Sequence, residues 1–399
     1  MAYGFTDTQN KNFTQEARLL LDIVQKRIES RNTPFINLDD FKRINWPLLT
    51  RMIVYHELAS FAYIYFKDSS FILPGGLMDF LKKGYYLALL QNSYFEQEFF
   101  RLNRIFTEND LAVVPIKGLA LLQDIYKQCP VRPMVDMDIL VKEDELAKAE
   151  NIITKLGYKE YLGNGSYSYW RNNNCNIPFK KERGGWVLEL HFALDSKMFN
   201  GIILPDLWKR LRASEINKNK IRLLSPEDTL FSLALHQRRF GKRLSLKNTL
   251  DVALLIDKYQ NNFDWDYVLK EAGSGRMCST VFFVLFQAKV ILGAAIPEFV
   301  WKALKVPFWK RGLISRLINK YTFSSHSFNK AKYVYFKSFF LLYDSLWEPV
   351  SHILHITHEE FAKFYNLPLY APETKKLYKA RFLYMPYRLV KDSFKKALF

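Results

Sequence analysis

The stretch Val113–Val141, VVPIKGLALLQDIYKQCPVRPMVDMDILV, constrains the fold of this chain more than any other. A short apolar run, LAVVPI from Leu111, has the character of a buried strand and stops at Lys117-Gly118. Leu119–Tyr126 then reads as a helix starting directly after the glycine, and Met137–Val141 as a second strand. A helix over EDELAKAENIITKLGY follows, ended by Gly157 as its C-cap glycine. Tyr167–Trp170, Asn176–Lys180 and Trp186–Phe192 read as three further strands, with Arg183-Gly184-Gly185 turning the chain before the last. Residues 105–200 are therefore expected to form a compact mixed sheet with helices.

Both flanks have helical periodicity. Phe13–Ser30, Asp39–Phe66 and Leu77 to about Asn109 carry apolar residues at helical spacing. Ser225-Pro226-Glu227-Asp228 is a helix start, and segments 226–240, 247–259, 264–272, 277–292 and 298–320 continue the pattern. The expected class is α+β: an N-terminal helical region (1–104), a small mixed-sheet core (105–200) and a C-terminal helical domain (201–399). A hydrophobic content of 49% excludes a disordered chain. The longest apolar run, Val281–Ile296, contains Gln287 and Lys289 and is short for a membrane span, so it reads as a buried helix and no transmembrane segment is expected. Cys129, Cys175 and Cys278 are too few and too scattered for a disulfide framework, which fits a reducing, cytoplasmic setting.

The chemistry concentrates in the core. Asp136 and Asp138 stand two apart at the start of a strand and emerge on one face. Paired carboxylates repel unless a cation sits between them, and hard oxygen ligands suit Mg²⁺. Gly118 opens a helix directly after a strand, where unpaired backbone N–H groups make a phosphate site. Lys117 and Arg132 add positive charge. In WVLELHF, Glu189 and His191 share a strand face, and Glu189 supplies a third carboxylate. The net charge of +18 also points to an anionic ligand.

The order strand, Lys-Gly, helix, Arg-Pro-x-x-Asp-x-Asp, hydrophobic strand, helix, Leu-Gly-Tyr and Glu-Leu-His closely resembles the uncharacterised nucleotidyltransferase family of the DNA polymerase β-like superfamily. The resemblance covers about 105–200 well and extends more weakly to about 260. It implies transfer of a nucleoside monophosphate from an NTP to an acceptor, with Asp136, Asp138 and Glu189 as catalytic and metal-binding residues for Mg²⁺ (Mn²⁺ being an alternative). It also implies Lys117, Gly118 and Arg132 as the nucleotide-binding residues. Where the superfamily usually has Gly-Ser, this chain has Gly118-Leu119. A hydroxyl or phosphate on a small molecule or biosynthetic intermediate is the favoured acceptor, with RNA or protein as rivals and a catalytically silent nucleotide-binding scaffold as a third reading.

Other features admit two readings. His191 touches the acceptor or braces its strand. His236, Arg238, Arg239, Lys242, Arg243 and Lys247 face the phosphate or acceptor site, with His236 and Arg239 as acceptor candidates, or form a solvated helix end. Asp251 neutralises one of these cations or orients an acceptor. His352, His355 and His358 recur every third residue, a pattern more often found on an ordinary helix than in a metal site. The tail from Thr374 holds eight basic residues and one acid among aromatics, with Pro386 expected to interrupt a long amphipathic helix. There is no G-x-x-x-x-G-K-[ST], G-x-G-x-x-G, G-x-S-x-G or H-E-x-x-H sequence.

Overall fold

Capping residues set where the first helices begin. The structure, a computed structural model, describes residues 13–26, 41–69, 71–126, 131–163, 165–182, 185–196, 204–240, 244–323, 340–365 and 367–394. α1 (Gln15–Gln25) starts on Thr14, whose hydroxyl accepts from the Ala17 N–H at 3.3 Å. α2 (Trp46–Tyr55) starts on Asn45, whose side chain accepts from the Leu48 N–H at 3.0 Å. The helix expected over 39–66 is broken between α2 and α3 (Ala59–Phe66), where Glu57 takes a left-handed φ of 58°. α3 packs against α4 (Leu77–Glu108), 32 residues and about 48 Å long. A Cβ on Gly84 would lie 2.8 Å from the Ala59 Cβ, so only glycine allows this crossing.

The core is a five-stranded mixed sheet with strand order β1-β2-β5-β4-β3. β1 (Val114–Pro115) leads into α5 (Lys117–Asp124), then β2 (Asp136–Leu140), α6 (Leu146–Lys155) and β3 (Tyr158–Glu160). After α7 (Tyr167–Asn173) come β4 (Asn176–Lys181) and β5 (Val187–His191). β2 and β5 run parallel, and the other pairs are antiparallel. Gly157 follows α6 with φ 86°, as its capping role requires. Tyr167–Trp170, expected as a strand, is instead the first turn of α7. The Ser166 hydroxyl accepts from the Tyr169 N–H at 3.1 Å, and this cap overrides a short alternating pattern. α5 begins at Lys117, one residue before the glycine.

A hairpin of β6 (Arg212–Ile216) and β7 (Asn219–Leu223) precedes the C-terminal helices. Its turn residues, Asn217 and Lys218, both lie in the left-handed region, at φ 49° and 65°. Without a glycine there, the sequence hides the hairpin. α8 (Pro226–Phe240), α9 (Leu246–Tyr259), α10 (Trp265–Ser274) and α11 (Cys278–Leu292) follow the expected segments, and α11 is buried along nearly its whole length. The segment expected as one helix over 298–320 is split by Pro307 into α12 (Glu298–Ala303) and α13 (Phe308–Tyr321). α14 (Trp347–Leu354), α15 (His358–Tyr365), α16 (Pro372–Lys379) and α17 (Arg381–Phe394) complete the order. Pro386 stays inside α17 at the cost of the bond its missing N–H would make. One hydrophobic core runs from Ala17 to Leu342, joining both helical flanks to the sheet. Among the described residues no helix is long and apolar enough to cross a membrane.

Candidate active site

The parallel pairing of β2 and β5 sets Asp138 opposite Glu189 and Leu140 opposite His191. Strand alternation then puts Asp136, Asp138, Glu189 and His191 on one face of the sheet. Lys117 reaches the same point from the start of α5. Its backbone is left-handed, with φ 50°, a conformation uncommon for a residue with a side chain. The Lys117 ammonium lies 2.5 Å from Asp138 Oδ1 and 3.6 Å from Glu189 Oε2. His191 Nε2 lies 2.8 Å from the same Asp138 oxygen and 3.2 Å from Glu189 Oε2. The other imidazole nitrogen, Nδ1, faces the buried Cys175 thiol at 3.8 Å.

Three carboxylates crowd against two bases here, and their ionisation responds. Burial, with the charges of Asp138 and Glu189, pushes Asp136 up to about 7. Burial also works against ionised Asp138 and Glu189, but Lys117 and His191 outweigh it and hold both below the usual carboxylate range. Burial and Lys117 disfavour a charged His191, yet its bonds to Asp138, Cys175 and Glu189 raise it to about 10. A surplus of negative charge that keeps one carboxylate near neutrality is what a divalent cation would relieve. Asp138, Glu189 and His191 offer ligand atoms within 4.8 Å of one another, and Asp136 shares their face, so the donor set fits such an ion. The tightest grouping takes in His191 where sequence reasoning put Asp136.

The residues expected around the phosphates are arranged differently from a bare glycine turn. A Cβ on Gly118 would lie 2.6 Å from both Arg132 Nη1 and Met134 Sδ, so the space beside its Cα is filled from within the chain. Arg132 grips Asp251 with two bonds, Nε to Oδ1 at 2.8 Å and Nη2 to Oδ2 at 2.6 Å. The Tyr126 hydroxyl donates to Asp251 Oδ1 at 2.9 Å, and the Asn92 amide donates to the Arg132 carbonyl at 3.0 Å. Asp251 thus neutralises Arg132. Lys247 pairs with Glu57 and lies 3.5 Å from the Pro133 carbonyl. Arg238 is buried in a pair with Asp195, and His236 is half-buried on α8. The side chain of Arg239, with Lys242 and Arg243, lies outside the described residues. His355 and His358 sit on either side of the break between α14 and α15, so the histidine triplet does not share a helix.

Beside the carboxylates a cavity of about 530 Å³ opens over β5, β4 and α7. Asp136 and Glu189 stand in its wall together with Tyr161, Tyr169 and Trp170, while Glu359 comes from α15 and Leu369 from the turn that follows that helix. Sequence reasoning missed it because its wall is assembled from residues more than 200 positions apart, with no local pattern joining them.

The sequence model of a family described as an uncharacterised nucleotidyltransferase matches residues 42–293. That span holds the whole sheet, the carboxylates, Lys117 and the Arg132–Asp251 pair. No curated protein and no solved structure matches the chain. The chain belongs to this nucleotidyltransferase family.

Proposed function

Taking that membership as premise, we propose that the chain transfers a nucleoside monophosphate from an NTP to a hydroxyl of a small molecule in a divalent-metal-dependent reaction. The observation that carries this is the convergence of Asp136, Asp138, Glu189 and His191 on one face beside a cavity of about 530 Å³. That volume lies within the range of about 300–1,000 Å³ usual for small-molecule pockets. It favours a small acceptor over an RNA or protein surface.

Asp136, Asp138 and Glu189 would hold Mg²⁺, with Mn²⁺ able to use the same donors. The ion would supply charge neutralisation at the reacting phosphorus. Lys117, sitting between Asp138 and Glu189, stands in for part of that charge and would swing toward phosphate oxygens as the ion enters. Arg132 and Lys247 are matched by Asp251 and Glu57, which leaves Lys117 as the cation for the polyphosphate on the β1 side. The acceptor oxygen forms a bond to the α-phosphorus while the bond from that phosphorus to the bridging oxygen breaks. Pyrophosphate departs with the bonding pair, and the hydroxyl proton passes to the Glu189 carboxylate.

The test is NTP binding by calorimetry, with and without Mg²⁺. Asp138→Asn should weaken Mg-NTP binding by roughly 10²-fold or more, since a metal contact contributes several kcal/mol. Lys117→Ala should weaken NTP more than the matching nucleoside. Unchanged Mg-NTP affinity in Asp138→Asn would overturn the proposal.

A further inference from the structure

The surroundings of the carboxylates are polarised across the sheet. On the β1 side stands Lys117, against Asp138 and Glu189, while Arg132 and Lys247 are matched by Asp251 and Glu57. On the β5–β4 side lies the cavity, and among the described residues lining it there is no lysine or arginine. Lys180 on β4 has its ammonium over the ring of the lining residue Tyr161, 5.0 Å from its centre. An in-line displacement puts the entering and leaving oxygens on opposite sides of the phosphorus. With pyrophosphate leaving toward Lys117, the attacking hydroxyl comes from the cavity.

The cavity is also lined by Glu359, the second residue of α15. That helix is started by a capping box: the Thr357 N–H donates to Glu360 Oε2 at 2.6 Å, and the Glu360 N–H donates to the Thr357 hydroxyl at 3.2 Å. Glu360 is thereby occupied at the cap and Glu359 is left facing the cavity. The Ser166 hydroxyl donates to Glu359 Oε1 at a long 3.4 Å, while Oε2 is buried and accepts no bond from the described residues. A buried carboxylate oxygen without a donor costs free energy until a ligand supplies one. Trp170 is fixed in the wall by its indole N–H, which donates to the Leu162 carbonyl at 3.1 Å, and so offers a rigid aromatic surface.

We propose that this cavity binds the acceptor, and that the acceptor is a hydroxylated amine, as in an amino sugar or amino alcohol, whose protonated nitrogen is held by Glu359. The assignment rests on the nucleotidyltransfer reading for the direction of attack. It also places the selecting residue outside the family span of 42–293, so the shared core carries the transfer and the C-terminal segment chooses what receives it.

The experiment compares free amines with their N-acetyl derivatives, which keep ring and hydroxyls but lose the charge. The probes are 2-amino-2-deoxyglucose against its N-acetyl form, and tyramine against N-acetyltyramine, titrated into the full chain by ligand-observed NMR. The wild type should prefer the amine by about tenfold or more, the scale of a charge-assisted hydrogen bond. Glu359→Gln, nearly isosteric, should erase that preference and leave Mg-NTP binding unchanged. Equal binding of both members in the wild type overturns the proposal, as does a preference that survives in Glu359→Gln. Weakened Mg-NTP binding in Glu359→Gln also overturns it, because the cavity would then hold the nucleotide. Mg-NTP binding on the same wild-type samples reports on the transfer reading separately: an amine preference without it breaks that reading alone.

Discussion

Two buried charge clusters lie close together in this protein and obey opposite rules. The seam between the N-terminal helices and α9 holds Arg132 with Asp251 and Lys247 with Glu57, each cation matched to one anion. The β2–β5 cluster sets Asp136, Asp138 and Glu189 against Lys117 and His191, with one Asp138 oxygen shared by both bases. The seam is closed: its charges are neutralised, and the Arg132–Asp251 pair is bidentate. The strand cluster is open, with surplus negative charge and a carboxylate held near neutrality. Buried charge alone therefore does not mark a site; unmatched charge beside a cavity does.

The comparison breaks most sharply at Glu189. If the open cluster does the chemistry, Glu189→Gln should cut transfer at saturating NTP by about 10²–10⁴-fold, the contribution of a positioned proton acceptor. His191→Ala should be milder, and excess metal should partly rescue a lost ligand but not a lost base. Near-normal turnover of folded Glu189→Gln would put the proton acceptor elsewhere.

A change at the seam should act on stability instead. Asp251→Asn leaves the Arg132 guanidinium buried without a counter-charge, and breaking such a pair costs about 3–5 kcal/mol. Denaturant titration should show that loss, while the folded fraction keeps its Mg-NTP affinity. A loss of stability under about 1 kcal/mol, or a selective loss of NTP binding, would move the seam into the active site.

How much of this was legible in the chain follows from the range of each interaction. The strand–helix–strand unit, Asp136, Asp138, Glu189 and the helices around 226–292 all follow from local periodicity and spacing, and the structure has these elements. α7 was misread because one capping hydroxyl outweighs a four-residue alternation. For Arg132 the sequence offers a phosphate contact or a pairing with Asp136 or a neighbouring acid, and its partner in the fold is Asp251, 119 residues away. Lys117 as the cation between Asp138 and Glu189 depends on a left-handed backbone that no residue type announces. Glu359 is invisible for the same reason as the cavity it faces: nothing local ties α15 to the sheet.

Two buried histidines give the smallest and most selective test of the contrast. His191, among carboxylates, is favoured as the charged form despite its burial. His56, in the seam, is fully buried: its Nδ1 accepts from the Leu246 N–H at 3.2 Å, and burial drives it down to about 3 although a backbone bond with Thr322 opposes the shift. Because the unfolded chain protonates near 6.5 and the folded one resists until about 3, the unfolded state binds more protons between those values. The stability His56 contributes is therefore complete above pH 6.5 and is lost as pH falls toward 3. At about 1.4 kcal/mol per pH unit, acidification from neutrality to pH 5 should cost about 2 kcal/mol through this residue. His56→Asn keeps an acceptor for the Leu246 N–H and removes the titration, so its denaturant midpoint should fall less steeply over that interval. Parallel pH profiles for wild type and variant would mean that His56 is already protonated in the folded chain, and the seam would then share the unmatched charge that sets the strand cluster apart.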